Sequence, residues 1–147
     1  MDFKKLLLAT MLGYAGFAAA QSTSDTLAGC LSDHTNGKER KELVRWMFSA
    51  MSVHPALKDL ATVPPAARAA SDQTVGQLIS RLISEDCRME ARNAMQVDGP
   101  KGFEAAFSSL GRIAVQELMT NPEVSASVMG YMKYVDPKKL ERAMTGK

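Results

Sequence analysis

"DQTVGQLISRLISEDCRMEARNAMQV", residues 72–97, carries the clearest helical pattern in the chain. Val75, Leu78, Ile79, Leu82 and Ile83 recur at i, i+3, i+4, i+7 and i+8, the spacing that lines apolar side chains along one face of an α-helix. Ser71 or Asp72 offers a cap at its start. The pattern predicts one long helix from about Asp72 to Val97. An apolar stripe of this kind needs other helices to cover it.

The flanking sequence supplies them. Upstream, Leu43, Trp46, Met47, Ala50 and Met51 repeat the same spacing within a helix expected over about 38–53. Asn36 with Glu39 three residues on makes a capping-box start. Lys38, Lys41 and Arg45 fall on the opposite side, as expected of a solvated face. His54-Pro55 ends this helix and opens a short one, Pro55 to Ala61, and "TVPPAARAASD" reads as a connector with weak helical content. Downstream, "VDGP" breaks the chain and Pro100 begins a helix to about Met119, with Phe103, Ala106, Phe107, Leu110, Ala114 and Leu118 on its buried face. Gly111 borders that face at a cost of about 1 kcal/mol relative to alanine; a close helix crossing or a chance weak spot would account for it. Asn121-Pro122 and Asp136-Pro137 start two further helices, the first carrying Val124, Val128 and Met132, the second Leu140 and Met144. No run of β-branched residues alternates with polar ones over strand length. The expectation is an all-α fold: a compact bundle of four main helices plus short ones, closed by one disulfide.

The N-terminus reads as a targeting segment. Lys4 and Lys5 precede an apolar run to Ala20 that ends in three alanines, as in a bacterial secretory signal cleaved after residue 20. The run is about 15 residues, short of the roughly 20 a bilayer span needs, and no later segment is a better candidate. The expected organisation is a signal peptide over 1–20, a polar arm over 21–37 and a single helical domain over 38–147. Removing the signal takes two basic residues and one acidic one, so the formal net charge of +2 falls to about +1. Nucleic-acid binding calls for a basic excess that is missing here.

Leu27-Ala28-Gly29-Cys30 spells a lipobox, the site at which bacterial lipoproteins are cut and lipidated. A lipobox normally follows the apolar run directly, whereas "QSTSDT" intervenes here. The chain has two cysteines, Cys30 and Cys87, and an even count in an oxidising compartment reads as one disulfide. The expectation is therefore a Cys30–Cys87 bond rather than a lipid anchor, in a protein that is periplasmic or secreted. Cys30 and His34 also form C-x3-H, which alone is two ligands short of a zinc site.

Candidate chemistry is sparse. Asp86 falls within the apolar arc of the long helix, Glu90 and Asn93 follow on the same side, and Glu117 lies on the apolar side of its own helix. Acidic residues are seldom buried unpaired, so Asp86, Glu90 and Glu117 mark a candidate polar site between helices. Its reading is either an acid–base or metal site, or internal ion pairs with Arg45, Arg81 or Arg88 or a bond to the Trp46 indole. The Glu-x-x-His pairs of di-iron bundles do not occur. Of ten methionines, Met47 and Met51 lie with His54 at i, i+4 and i+7, a set suited to Cu(I), though a role as adaptable core filler would explain both methionines without a ligand. A haem held by His34 or His54 with a methionine is a further reading on the same grounds. No C-x-x-C-H, G-x-S-x-G, H-E-x-x-H or P-loop occurs, so no cofactor is expected. The expected function is non-catalytic binding of a protein or envelope component. A periplasmic Cu(I) protein and an enzyme with an inter-helix carboxylate site are the alternatives.

Overall fold

Ser22 is the first residue of the fold whose role is visible: its hydroxyl accepts a hydrogen bond from the Asp25 amide and caps a helix, α1, over Thr23–Asp33. The computed structural model describes residues 22–146. The expected signal peptide, 1–20, lies outside the described residues. The polar arm expected over 21–37 is corrected by α1. Leu27 and Leu31, one helical turn apart, are completely buried in the core. Their burial outweighs the polar residues around them, which face outward.

The remaining elements follow in order: α2 over Gly37–Met51, a short 3-10 turn at Pro55–Leu57, α3 over Pro65–Arg81, a π-helical turn at Leu82–Asp86, α4 over Arg88–Val97, and α5 over Gly99–Met119. Then come α6 over Pro122–Val128, a 3-10 segment over Met129–Tyr134 and α7 over Pro137–Thr145. The described residues are all-α, as the periodicity implied. The helix boundaries follow the chemistry of their ends. Asn36 and Glu39 close the capping box at α2 from both sides. Asn121 caps α6 and Asp136 caps α7, each followed by proline in the first turn.

Two expectations about the long helix are corrected. It starts at Pro65 rather than Asp72, because Pro65 tolerates the first helical position and Ala66, Ala67, Ala69 and Ala70 are strong helix formers. It is also interrupted. The Cys87 amide bonds to the Leu82 carbonyl, five residues back, at 2.8 Å. That one-residue insertion resets the helical phase, so Leu82 and Cys87 both turn fully inward. Cys87 then meets Cys30 of α1 at disulfide-bonding distance, with Cα atoms 5.8 Å apart.

The bundle membership also differs from the expectation. α1 packs on α4 and α5, and α2 packs on α3 and α5. The helix after Asn121 is outside this arrangement, and α1 takes its place. The core comprises Leu27, Leu31, Leu43, Val75, Leu78, Leu82, Leu110 and a set of alanines on α4 and α5 that let those helices approach closely. Asp98, in the turn between α4 and α5, accepts from the Ser24 amide at 3.2 Å and from the Thr23 hydroxyl, fastening the start of α1. Gly99 adopts φ +63° in that turn, a conformation that suits glycine. No helix among the described residues is long and apolar enough to cross a membrane.

Candidate functional site

α2, α3 and α5 converge without closing completely. Between them lies an open groove of about 530 Å3 whose walls are Leu43, Trp46 and Met47 from α2, Val75 and Ile79 from α3, and Phe107 and Leu110 from α5. Its size and apolar lining match those of small-ligand sites. One polar contact marks the rim: the Trp46 indole N–H donates to Asp72 Oδ1 at 3.0 Å, tying α2 to α3. The Trp46 indole thus finds Asp72 rather than Asp86 as its carboxylate. Asp72 lies inside α3, so it serves this contact instead of the cap expected of it.

Two glycines complete the lining, Gly76 on α3 and Gly111 on α5. Both are inside helices, where glycine costs about 1 kcal/mol relative to alanine. Neither is demanded by packing. A Cβ at Gly76 would meet nothing within 4 Å, and one at Gly111 would meet only the Met47 sulfur, at 4.0 Å. No close helix crossing therefore explains Gly111. Gly102 is the contrasting case: a Cβ there would lie 2.5 Å from the Asp98 Cβ, so the backbone approach itself requires glycine.

The acidic candidates are placed separately. Asp86 forms an ion pair with Arg81, whose other guanidinium nitrogen reaches Glu39 at 2.8 Å. Glu117 lies beside the first turn of α2, 3.7 Å from Arg40, where a carboxylate also suits the helix dipole. Glu90 is half-buried on α4. Asp86, Glu90 and Glu117 do not come together as a metal-binding group; among the described residues, the one such group of three is Cys30, His34 and Cys87. The arginine partners make Asp86 and Glu117 ties between elements: Asp86 and Glu39 hold α2 to the π-turn, and Glu117 holds α5 to α2.

Met47, Met51 and His54 diverge. Met47 lines the groove, Met51 is 57% exposed, and His54 Nδ1 accepts the Ala56 amide at 3.2 Å as the cap of the 3-10 turn. Leu27-Ala28-Gly29-Cys30 is part of α1. Cutting before Cys30 would remove Leu27 from the core, and Cys30 bonds to Cys87.

A second surface stands apart from the groove. The segment from Pro122 to Gly146 contributes no fully buried residue, yet Val128, Met129, Tyr131, Met132, Tyr134, Leu140 and Met144 are all exposed. The sequence pattern puts Val128, Met132, Leu140 and Met144 on helices but offers no means of knowing that their apolar faces go uncovered. The groove was equally hidden, apart from the costly glycine at 111. Compared with protein-family models, curated proteins and solved structures, the chain matches none.

Proposed function

We propose that this chain is an exported, non-catalytic binding module that takes an apolar group of an envelope component into the groove between α2, α3 and α5. The observation that carries this reading is the pair of helix-interior glycines, Gly76 and Gly111. Both face the same groove, neither is needed for close packing, and each forgoes helix stability that alanine would provide. Their common effect is to keep the groove open. Stability forgone at a binding surface is a familiar signature of function. The groove's apolar walls favour an acyl chain or a comparable apolar moiety, and the Trp46–Asp72 contact gives its rim one oriented polar feature.

Trp46 is the single tryptophan of the chain, so its fluorescence reports on the groove directly. The test is a titration of the purified protein with a long-chain fatty acid and with a neutral detergent below its micellar concentration. Saturable, one-to-one change in Trp46 emission, lost when Gly111 is replaced by leucine, is the expected result. Emission that stays constant, or that changes equally in Gly111→Leu, refutes the groove as the binding site.

The exposed methionines and tyrosines from Val128 to Met144 favour a second reading, docking of a protein partner on the C-terminal segment. Removing residues 122–147 separates the two: ligand titration at Trp46 survives if the groove acts alone, while capture of a protein partner is lost.

A further inference from the structure

We propose that Cys30, Cys87 and His34 form a redox-gated metal site: once the disulfide is reduced, two thiolates and one imidazole bind a thiophilic d10 ion, zinc(II) or copper(I). Cys30 and His34 are one helical turn apart at the end of α1, so their side chains share a face. The π-turn before Cys87 brings the third donor to the same point. His34 Nδ1 lies 3.6 Å from Cys30 Sγ and 4.0 Å from Cys87 Sγ, and all three donor atoms fall within 4.8 Å of one another. With Zn–S near 2.3 Å and Zn–N near 2.0–2.1 Å, tetrahedral coordination holds sulfur and nitrogen ligands about 3.6 Å apart. Both sulfur–nitrogen edges of such a site are therefore already close to the required length. The two bonded sulfurs have to part, and the imidazole has to turn from the Cys30 carbonyl.

The surroundings fit the same chemistry. His34 Nδ1 is 2.9 Å from the Cys30 carbonyl, to which it donates when it carries the ring proton. With the proton on Nε2 and the ring turned from that carbonyl, the Nδ1 lone pair is available to a metal. Arg81 donates to the His34 carbonyl at 3.3 Å, holding the backbone that carries the imidazole. Cys87 is completely buried, Cys30 half-buried and His34 exposed, so the site opens to solvent on the His34 side. Three protein ligands leave a position for water or a partner's donor. The C-x3-H pair of the sequence lacked two ligands, and the fold brings in the third.

The gating step uses a dithiol reductant. One thiolate of the dithiol attacks Cys30 Sγ, the bond between the two cysteines breaks, and Cys87 leaves as a thiolate. The second thiol of the reductant then displaces Cys30, so the dithiol ends as a disulfide. Two electrons and two protons pass to the cysteine pair. Metal binding releases the two thiol protons to solvent.

The experiment uses the full exported chain, oxidised or reduced with dithiothreitol and desalted anaerobically. Cobalt(II) serves as the spectroscopic stand-in for zinc(II), and copper(I) is offered in competition with a chromogenic chelator. The expected result is one ion per reduced chain, with thiolate-to-cobalt charge-transfer and tetrahedral ligand-field bands, and none in the oxidised chain. His34→Ala should weaken binding at least about tenfold, because even residues that only orient a ligand carry effects of this size. Its oxidised form should melt with the wild type, showing an intact fold. Uptake of zinc alone or copper alone supports the site and assigns its ion. If reduction unfolds the chain, metal should restore the helical circular dichroism. A folded reduced chain that takes neither ion, a His34→Ala variant with unchanged affinity and spectra, or an unfolded reduced chain that no metal refolds would each overturn the proposal.

Discussion

Gly76 and Gly111 allow the link between groove and function to be tested by making the protein more stable. In Gly76→Ala/Gly111→Ala, each exchange gains about 1 kcal/mol of helix propensity. Neither new methyl group meets a steric penalty, since the nearest atom to either is the Met47 sulfur, at 4.0 Å from a Cβ at position 111. The double variant should therefore gain about 2 kcal/mol. For a domain of this length, that raises the melting temperature by about 6–10 °C, measured by far-ultraviolet circular dichroism. Both positions line the groove, so the two methyl groups should narrow it. An added methylene in an apolar site changes affinity by roughly 1–3 kcal/mol, so a fatty acid titrated against Trp46 fluorescence should bind at least about tenfold more weakly. Gly102→Ala is the control. Its Cβ would lie 2.5 Å from that of Asp98, and it should lose about 1–3 kcal/mol through overpacking. A double variant no more stable than wild type would refute the claim that the two glycines forgo stability. One that is more stable yet binds the fatty acid as before would refute the claim that the groove is why.

Other substitutions probe the frame around the groove. Cys30→Ser/Cys87→Ser opens a loop spanning 57 positions and should cost about 4 kcal/mol in the chain-entropy model, read from the shift in urea midpoint. Leu31→Ala empties a fully buried site on α1 and should cost about 2–5 kcal/mol in the same assay; a negligible effect would return residues 21–37 to the status of a polar arm. Arg81→Ala removes the partner of both Asp86 and Glu39, but its side chain is 37% exposed, so the loss should be no more than about 1 kcal/mol and should shrink as salt is raised. A salt-insensitive loss of several kcal/mol would show that Asp86 does more than tie α2 to the π-turn.

Local chemistry made much of the fold legible. Asn36 with Glu39, Asn121-Pro122 and Asp136-Pro137 marked helix starts that the backbone uses, because caps and first-turn prolines act within three or four residues. Cysteine parity pointed to the pairing of Cys30 with Cys87. α1 is absent from the periodicity reading although its signs are in the sequence: Ser22 caps it, and Leu27 and Leu31 have helical spacing. Two leucines among polar residues and a lipobox-like tetrapeptide look like an arm until α4 and α5 are available to cover them. The π-turn was unreadable for a different reason. One inserted residue changes phase without changing composition, and its purpose appears only when Cys87 faces Cys30. For the candidate site, helix phase turns Asp86 and Glu117 inward, where both are half-buried, and Arg81, five residues before Asp86 on the same predicted helix, is among the partners the sequence offers; Arg40, the partner of Glu117, comes from a helix whose position the sequence alone does not give. The groove depends on three helices failing to close, which no single stripe can express.

The uncovered segment after Asn121 divides the molecule into two thermodynamic tiers. Hydrogen bonds within α6 and α7 are backed by no fully buried side chain, so their amides should exchange with deuterium through local fraying, near the lowest opening free energies of the chain. Amides around Leu82, Ala94 and Leu110 are enclosed by the core and open only with the whole domain. The protection profile should therefore fall sharply beyond Met119. A partner that covers Val128 to Met144 would raise protection there first, so the exchange map of the complex would locate its footprint without a structure of the partner.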